Sequence, residues 1–310
     1  MSEILLNKKR ISLICPILLT AGSFIGCNSM EDLEKIDLSD TVELEKVESV
    51  QRPKINICVG SMITPEEGYA YYKRLLDYIG HKLEAKIDFV EKMTYEEVNA
   101  SLKNGDIDVA FVCGGPYVAG HDDFNLQLLA APVVNGKPLY YSYIIVGKES
   151  GIENLYGLRG KAFAFVNPMS NTGKLIPTHI LHESGETVQS LFSEYSYTYG
   201  HDRSIKAVAQ GIVDGAAVDS LIWDYMDKKG SPYTKKTKII NISESYGIPP
   251  VVVRPGLGEG LKARIKDILL NMHDAEEGKE ILKNMFIDRF IEVDDSAYDG
   301  IRHVRASVTR

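Results

Sequence analysis

The sequence predicts an α/β protein of two lobes, each a mostly parallel sheet flanked by helices, with a ligand cleft between them. Two observations carry this expectation. From residue 54, short apolar runs alternate with helical patterns in the order β-α-β-α-β, which implies a parallel sheet covered on both faces. The same cadence recurs between residues 161 and 229, and extended segments at 140–146 and 251–253 connect the two units. Two α/β units joined by two extended crossings describe a hinged protein. Ligands in such architectures sit at the carboxyl ends of the strands, between the lobes.

Each element has its own local reason. The run Ile55-Asn56-Ile57-Cys58-Val59 reads as a strand, followed by a helix with Tyr69, Tyr72, Leu76, Ile79 and Leu83 on one face. A strand is expected at 86–90. Thr94-x-x-Glu97 is a capping box that opens a helix ending before Gly105. The apolar run 107–112 reads as a buried strand. In the second unit, strands at 161–166, 194–199 and 215–218 alternate with helices at 171–182, 201–210 and 221–229, and helices follow residues 251–253 to the end. The domain division expected is an export signal over 1–26, an acidic tether over 27–53, lobe 1 from 54–143 with 249–310, and lobe 2 from 144–248.

Composition narrows the function classes. The chain of 310 residues is 44% hydrophobic and 25% charged, with a mean hydropathy of −0.12, which excludes a disordered chain and a multi-span membrane protein. The net charge is −8. Residues 53–310 carry −5 of it with Lys and Arg not clustered, which argues against a nucleic-acid partner. Lys8-Lys9-Arg10 precede 15 uncharged residues at 11–25, interrupted by Pro16 and ending Phe24-Ile25-Gly26-Cys27. This resembles the lipobox of bacterial lipoproteins, with Phe24 where Leu is usual, and implies cleavage before an acylated Cys27. The alternative is an uncleaved anchor, for which the stretch is short of the roughly 20 apolar residues that span a bilayer. Residues 28–52 hold eight acids, three bases and no Gly or aromatic residue, as expected of a solvated tether. Cys15 leaves with the signal. Cys58 and Cys113, at strand ends, are expected as buried free thiols. No C-x-x-C occurs, so zinc-ribbon and thioredoxin-like chemistry are not indicated.

Three successive strand ends of the second unit carry polar groups. The first is Asn167-Pro168-Met169-Ser170-Asn171-Thr172-Gly173, which places two hydroxyls, an amide and orphan backbone N–H groups at one helix start. Such a terminus suits an anion, although Ser170 reads equally well as a plain N-cap. The second is His201-Asp202 and the third Val218-Asp219-Ser220. Together with Asp106-Ile107-Asp108-Val109-Ala110-Phe111 and Pro138-Leu139-Tyr140-Tyr141-Ser142, these segments resemble the phosphate/phosphite/phosphonate-binding proteins of ABC importers, the PhnD-like family. The resemblance spans about residues 54–298, with the elements in the family's order. It implies a type II periplasmic-binding-protein fold that closes on its ligand. It further implies that Ser170, Asn171 and Thr172 hold phosphoryl oxygens, that His201 binds the oxyanion, that Tyr117 and Tyr140 line the cleft, and that Asp219 lies near the ligand's non-phosphoryl end. The implied partners are a small phosphorus oxyanion, an ABC permease with its ATPase, and a membrane reached through the N-terminal lipid. The implied location is the extracytoplasmic face, the implied state a monomer, and neither cofactor nor metal is called for.

The sequence departs from the family at several positions. Asn171 stands where a hydroxyl residue is common. Lys174 stands where an aromatic or apolar residue is common, and is expected to point to solvent. Pro249 falls where a polar or acidic residue often serves an aminoalkyl phosphonate, and Cys113-Gly114-Gly115-Pro116 replaces the usual Gly-Pro order. Other readings carry less weight. Ser170, His201 and Asp219 lack the G-x-S-x-G elbow of a hydrolase, so no enzyme activity is expected. His179, His182 and Glu183 have helical spacing for a metal but no evident further ligand. A lipid-anchored ligand sensor of the same fold would share every one of these features.

Overall fold

A computed structural model describes residues 52–308, apart from residues 61, 63 and 64 and the side chains of 65–67. The export signal, Cys15, Cys27 and almost all of the acidic tether lie outside the described residues. The chain enters through β1 (Lys54–Val59), α1 (Pro65–Leu83), β2 (Lys86–Phe89), α2 (Tyr95–Asn104) and β3 (Val109–Phe111). Next come α3 (Gly114–Phe124), β4 (Gln127–Val133), β5 (Leu139–Tyr140) and β6 (Ser142–Gly147). The second unit holds β7 (Ala162–Phe165), α4 (Ile176–Glu183), α5 (Val188–Leu191), β8 (Glu194–Tyr197), α6 (His201–Ala209), β9 (Gly215–Asp219), α7 (Ser220–Lys228) and β10 (Thr237–Ile242). The chain returns through β11 (Tyr246–Gly247) and β12 (Val251–Val253) to α8 (Glu259–Asn271), α9 (Glu276–Asn284), β13 (Arg289–Ile291) and α10 (Asp299–Val308).

Two sheets result, with strand orders β13-β4-β12-β3-β1-β2 and β10-β6-β9-β7-β8. The βα repeats supply the parallel part of each: β1 pairs in parallel with β2 and β3, and β7 with β8 and β9. The remaining strands run antiparallel, β12 between β3 and β4, β13 on β4, β6 on β9 and β10 on β6. Both sheets are therefore mixed, and helices cover them. A short antiparallel ladder, β5 with β11, forms where the chain crosses from one sheet to the other and back. The extended segment expected at 140–146 is divided by that crossing. Tyr140 belongs to the ladder and Ser142 opens β6, while the Tyr141 N–H between them donates to Ser220 Oγ at 3.0 Å.

The packing follows the apolar pattern with informative exceptions. α1 buries Leu75, Leu76, Tyr78, Ile79 and Leu83 against the first sheet, each side chain contributing roughly 1.5–3 kcal/mol by leaving water. Tyr69, expected on the buried face, is 40% exposed and rests its ring 5.1 Å from that of Phe89. In the second unit Phe163 and Phe192 stack at 4.2 Å between ring centroids. Cys58 and Cys113 are buried free thiols, and burial pushes the Cys58 thiol pKa up to about 12. α3 begins Gly114-Gly115-Pro116, residues that weaken a helix interior; it forms because Pro is tolerated in a first turn, and Asn125 closes it in the left-handed conformation at φ 59°.

The capping box at α2 is complete. Glu97 N–H donates to Thr94 Oγ1 at 3.1 Å, Thr94 N–H donates to Glu97 Oε2 at 3.2 Å, and Gly105 ends the helix at φ 83°. Because this cap fixes where α2 starts, Thr94→Ala is expected to lower the unfolding free energy by about 1 kcal/mol. Urea denaturation followed by circular dichroism would measure it, and an unchanged midpoint would mean that tertiary packing alone holds the helix start.

Candidate functional site

The loop after β7 is tied to itself. Val166 N–H donates to the Gly173 carbonyl at 3.1 Å and Ser170 N–H to the Asn167 carbonyl at 2.9 Å. Met169 N–H donates to Asn167 Oδ1 at 2.8 Å. Ser170 Oγ accepts the Gly173 N–H at 3.0 Å, so Ser170 is an N-cap and its hydroxyl proton remains available as a donor. The helix expected from residue 171 opens instead as one π turn, Asn171–Leu175, before α4. Such widened turns frequently mark functional sites. Gly173 is needed there, since a Cβ would lie 2.7 Å from Val166 Cβ. From β6, Ser142 Oγ donates to the Thr172 carbonyl at 2.6 Å and pins the turn.

Helix starts from both sheets meet this loop. Cys113 is the N-cap of α3, Tyr95 the first residue of α2, His201 the first residue of α6, and Asp219 the N-cap of α7. Tyr95 hydroxyl lies against Ser170 and Cys113, and Cys113 lies against the Asn171 backbone. Tyr140 hydroxyl accepts from Asn171 Nδ2 at 2.9 Å and stands 3.7 Å from Cys113 Sγ. The seam between the sheets is closed by direct contact. His201 N–H donates to the Met62 carbonyl at 2.8 Å, and Asn167 Nδ2 donates to Glu96 Oε2 at 3.2 Å.

Five buried polar atoms of this cluster have no protein partner: Tyr95 OH, Asn171 Oδ1, Thr172 Oγ1, His201 Nε2 and Asp219 Oδ2. Folded proteins leave few such atoms, because each costs about 1–3 kcal/mol when desolvated alone. Several N-termini converging here supply the positive ends of helix dipoles, which favour an anion. The His201 tautomer follows from geometry. Its Nδ1 accepts the Asp219 N–H at 2.9 Å, so the ring proton resides on Nε2 and faces the site as a donor. Burial pushes the ring pKa down to about 3, which keeps it neutral. Asp219 Oδ1 accepts the Leu221 N–H at 2.8 Å. Burial, reinforced by the Asp224 carboxylate, pushes the Asp219 pKa up to about 7.

The residues singled out from sequence divide accordingly. Ser170, Asn171, Thr172, His201, Asp219 and Tyr140 come together, all buried. Tyr117 stands apart: its hydroxyl donates to Asp295 Oδ1 at 2.6 Å and its ring packs on Tyr298 at 4.6 Å. Lys174 does not extend freely into solvent. Its Nζ lies 3.9 Å from the Phe165 ring centroid, and burial lowers its pKa to about 8. The hydrolase arrangement is not assembled, because His201 Nδ1 bonds the main chain of Asp219 and not its carboxylate. His179 Nδ1 bonds Ser307 Oγ at 2.7 Å, and no group of three His, Cys, Asp or Glu among the described residues could hold a metal ion. Tyr95 escaped the sequence reading, and Tyr72 and Cys113 were read there as helix-face and buried-thiol residues and not as part of the site. The available signal was position, since Tyr95 directly follows the Thr94 N-cap just as His201 and Ser170 mark other helix starts. Beside the polar cluster, with Asp219 in the shared wall, lies a chamber of about 680 Å³ lined by Tyr71, Tyr72, Phe111, Leu221 and Tyr225 among others.

A family model described as "ABC transporter, phosphonate, periplasmic substrate-binding protein" matches residues 57–298. The chain is 27% identical over 257 residues to the phosphate-import protein PhnD of Mycolicibacterium smegmatis, covering 76% of this chain and 79% of that protein. It is also 27% identical over 209 residues to the phosphonates-binding periplasmic protein of Escherichia coli, covering 66% and 62% respectively. Among solved structures, a binding protein component of an ABC phosphonate transporter from Pseudomonas aeruginosa superposes with a TM-score of 0.77 at 20% identity, covering 83% of this chain and 87% of that one. PhnD1 of Prochlorococcus marinus, in complex with methylphosphonate, superposes with a TM-score of 0.76 at 18% identity, covering 83% and 98%. At such identities the superpositions establish the shared fold.

α3 and the loop after β7 approach closely at Gly115, where an added Cβ would fall 2.1 Å from the Met169 carbonyl oxygen. Backbone cannot yield as a flexible side chain would, so Gly115→Ala is expected to hold α3 away from the loop. Affinity for the ligand, measured by calorimetry, should drop at least about tenfold, equivalent to about 1.4 kcal/mol. Undiminished binding by this variant would show that the close approach is not required.

Proposed function

The chain belongs to the family of periplasmic substrate-binding proteins of phosphonate ABC transporters, and from that premise we propose that it captures a small phosphorus oxyanion (phosphonate, phosphite or phosphate) by lobe closure. The observation that carries this reading is the set of buried, unpartnered polar atoms gathered at helix starts from both sheets. Ser170 hydroxyl, Thr172 hydroxyl, Tyr95 hydroxyl and His201 Nε2–H are neutral donors to a tetrahedral anion. Each bond gains strength from the ligand's charge. A wall of dipoles also suits a protein that must release its cargo, because no buried Lys or Arg is left unpaired when the ligand departs.

In this proposal the lobes are residues 54–143 with 249–310, and residues 144–248, hinged at the β5–β11 crossing. The protein delivers its ligand to a permease and ATPase and performs no chemistry on it. It works on the extracytoplasmic face, tethered through lipid on Cys27. Loss of the acyl chains would free it, since stable anchoring needs more than one membrane signal. Cys27→Ser is therefore expected to move the protein from the membrane fraction to the soluble fraction; retention in the membrane would indicate an uncleaved anchor instead.

Calorimetry against phosphate, phosphite, methylphosphonate and 2-aminoethylphosphonate tests the ligand class. At least one should bind. Ser170→Ala and His201→Ala should each weaken that binding by about 1.5–3 kcal/mol, the range for hydrogen bonds to charged groups. If a carboxylate or a vitamin binds while all four phosphorus compounds fail, the ligand class is wrong; if both variants bind normally, the site is elsewhere.

A further inference from the structure

The chamber beside the polar cluster is far larger than a small oxyanion needs. Its volume is about 680 Å³, within the roughly 300–1,000 Å³ of pockets that enclose a whole organic ligand. It persists although the seam next to it is closed by the His201–Met62 hydrogen bond and by the approach of Gly115 to Met169. Five rings run along its wall in unbroken contact. Phe111 of β3 meets Tyr72 of α1 at 4.8 Å between centroids, and Tyr72 meets Tyr71 at 4.9 Å. Tyr71 meets Tyr225 of α7 at 4.7 Å, and Tyr225 meets Phe286 at 5.8 Å. The row starts beside the polar cluster, where Tyr72 lies in the field of the Asp219 carboxyl group, and it joins residues of both sheets' units. Tyr71 donates its hydroxyl to the Met285 carbonyl at 2.8 Å, so its polar end is already satisfied.

The charged groups of the wall do not call for a charged occupant. Three acids, Asp202, Asp219 and Asp224, and three cations, Arg203, Lys206 and Lys228, line it, so the wall carries no net charge to draw an ammonium group. The cations are exposed, and Asp224 is answered by Lys228 and by the Tyr143 hydroxyl. Pro249 adds an apolar face. We propose that this chamber is a subsite for a flat apolar substituent, so that the preferred ligand is an aryl phosphonate or aryl phosphate ester and not a bare or aminoalkyl one. The inference rests on the phosphorus-oxyanion reading above and adds to it the nature of the substituent. The tetrahedral head stays among the neutral donors of the polar cluster. The substituent leaves it along the row of rings and packs on Tyr72, Tyr71 and Tyr225 at the roughly 4.5–7 Å between centroids of aromatic pairs. Because those rings come from both units, a seated aryl group adds apolar contact across the seam that a methyl group is too short to make.

The test is calorimetry of the whole protein at one pH against phosphate, methylphosphonate, 2-aminoethylphosphonate, phenylphosphonate and benzylphosphonate. Phenylphosphonate or benzylphosphonate should bind at least about tenfold tighter than methylphosphonate, from the apolar area that the ring removes from water. Its binding should also show the more negative heat-capacity change, the mark of buried apolar surface. Tyr225→Ala, which removes the middle of the ring row, should bring the ratio of aryl to methyl affinity close to one, whereas Tyr225→Phe should keep it. If methylphosphonate binds and neither aryl compound binds tighter, the subsite is overturned while the ligand class stands. A preference for 2-aminoethylphosphonate over both aryl compounds overturns it as well, since the chamber would then serve a cation. An aryl preference unchanged in Tyr225→Ala would place the ring elsewhere and also overturn it. If no phosphorus compound binds, the ligand reading falls and this inference with it. Should Tyr225→Ala fail to fold, the wild-type affinities decide the matter alone.

Discussion

The site exists because two pieces of main chain touch. α3 approaches the 167–173 loop so closely at Gly115 that no side chain fits between them, and the His201 N–H reaches across to the Met62 carbonyl. Both contacts join residues of the first sheet's unit to residues of the second's. Everything in the polar cluster depends on them: Tyr95 and Cys113 come from one side, Ser170, Asn171, Thr172, His201 and Asp219 from the other. Glycine supplies the clearance and the backbone supplies one bond, and the Asn167–Glu96 side-chain hydrogen bond adds a further tie across the seam.

Chemistry at this junction comes from orientation more than from charge. The Asp219 main chain hydrogen-bonds His201 Nδ1 and thereby dictates that Nε2 is the donor. Ser170 Oγ accepts the Gly173 N–H, so its own proton is free to point elsewhere. Ser142 holds the π turn that carries Thr172. His201 and Ser170 are each oriented by a second bond behind them, and in the function proposed above the ligand completes that set.

Much of this was readable beforehand where local rules govern. The Thr94 capping box predicts the start of α2, and the spacing of apolar runs locates β1, β2, β7 and β9 because those strands are short and bounded by turns. The 167–173 loop, His201 and Asp219 stand out because each follows a strand and opens a helix. What sequence could not convey was tertiary direction. Tyr117 and Tyr95 are both tyrosines near helix starts of the first unit, yet Tyr117 turns toward Asp295 and Tyr298 while Tyr95 turns into the seam. α3 was hidden by its Gly-Gly-Pro start, and β13 by being only three residues long and paired solely with β4. Lys174 follows the usual rule that a cationic stem lies on apolar surface, but an aromatic ring captures its ammonium as well.

The acidic balance of the chain is compatible with the anion site proposed above. Of the net −8, residues 28–52 account for −5, and charges in water are screened within a Debye length of about 8 Å at physiological salt. Residues 53–310 also carry −5, offset by the +2 of residues 1–27. Surface acids on that part lower the potential at a distance but act weakly through water on a sealed junction. Inside it, field is set by what is nearest: helix starts, three phenols, an imidazole held neutral and one carboxyl group. A long-range attraction would speed encounter with every anion alike. In the function proposed above, a short-range set of oriented dipoles discriminates instead by geometry.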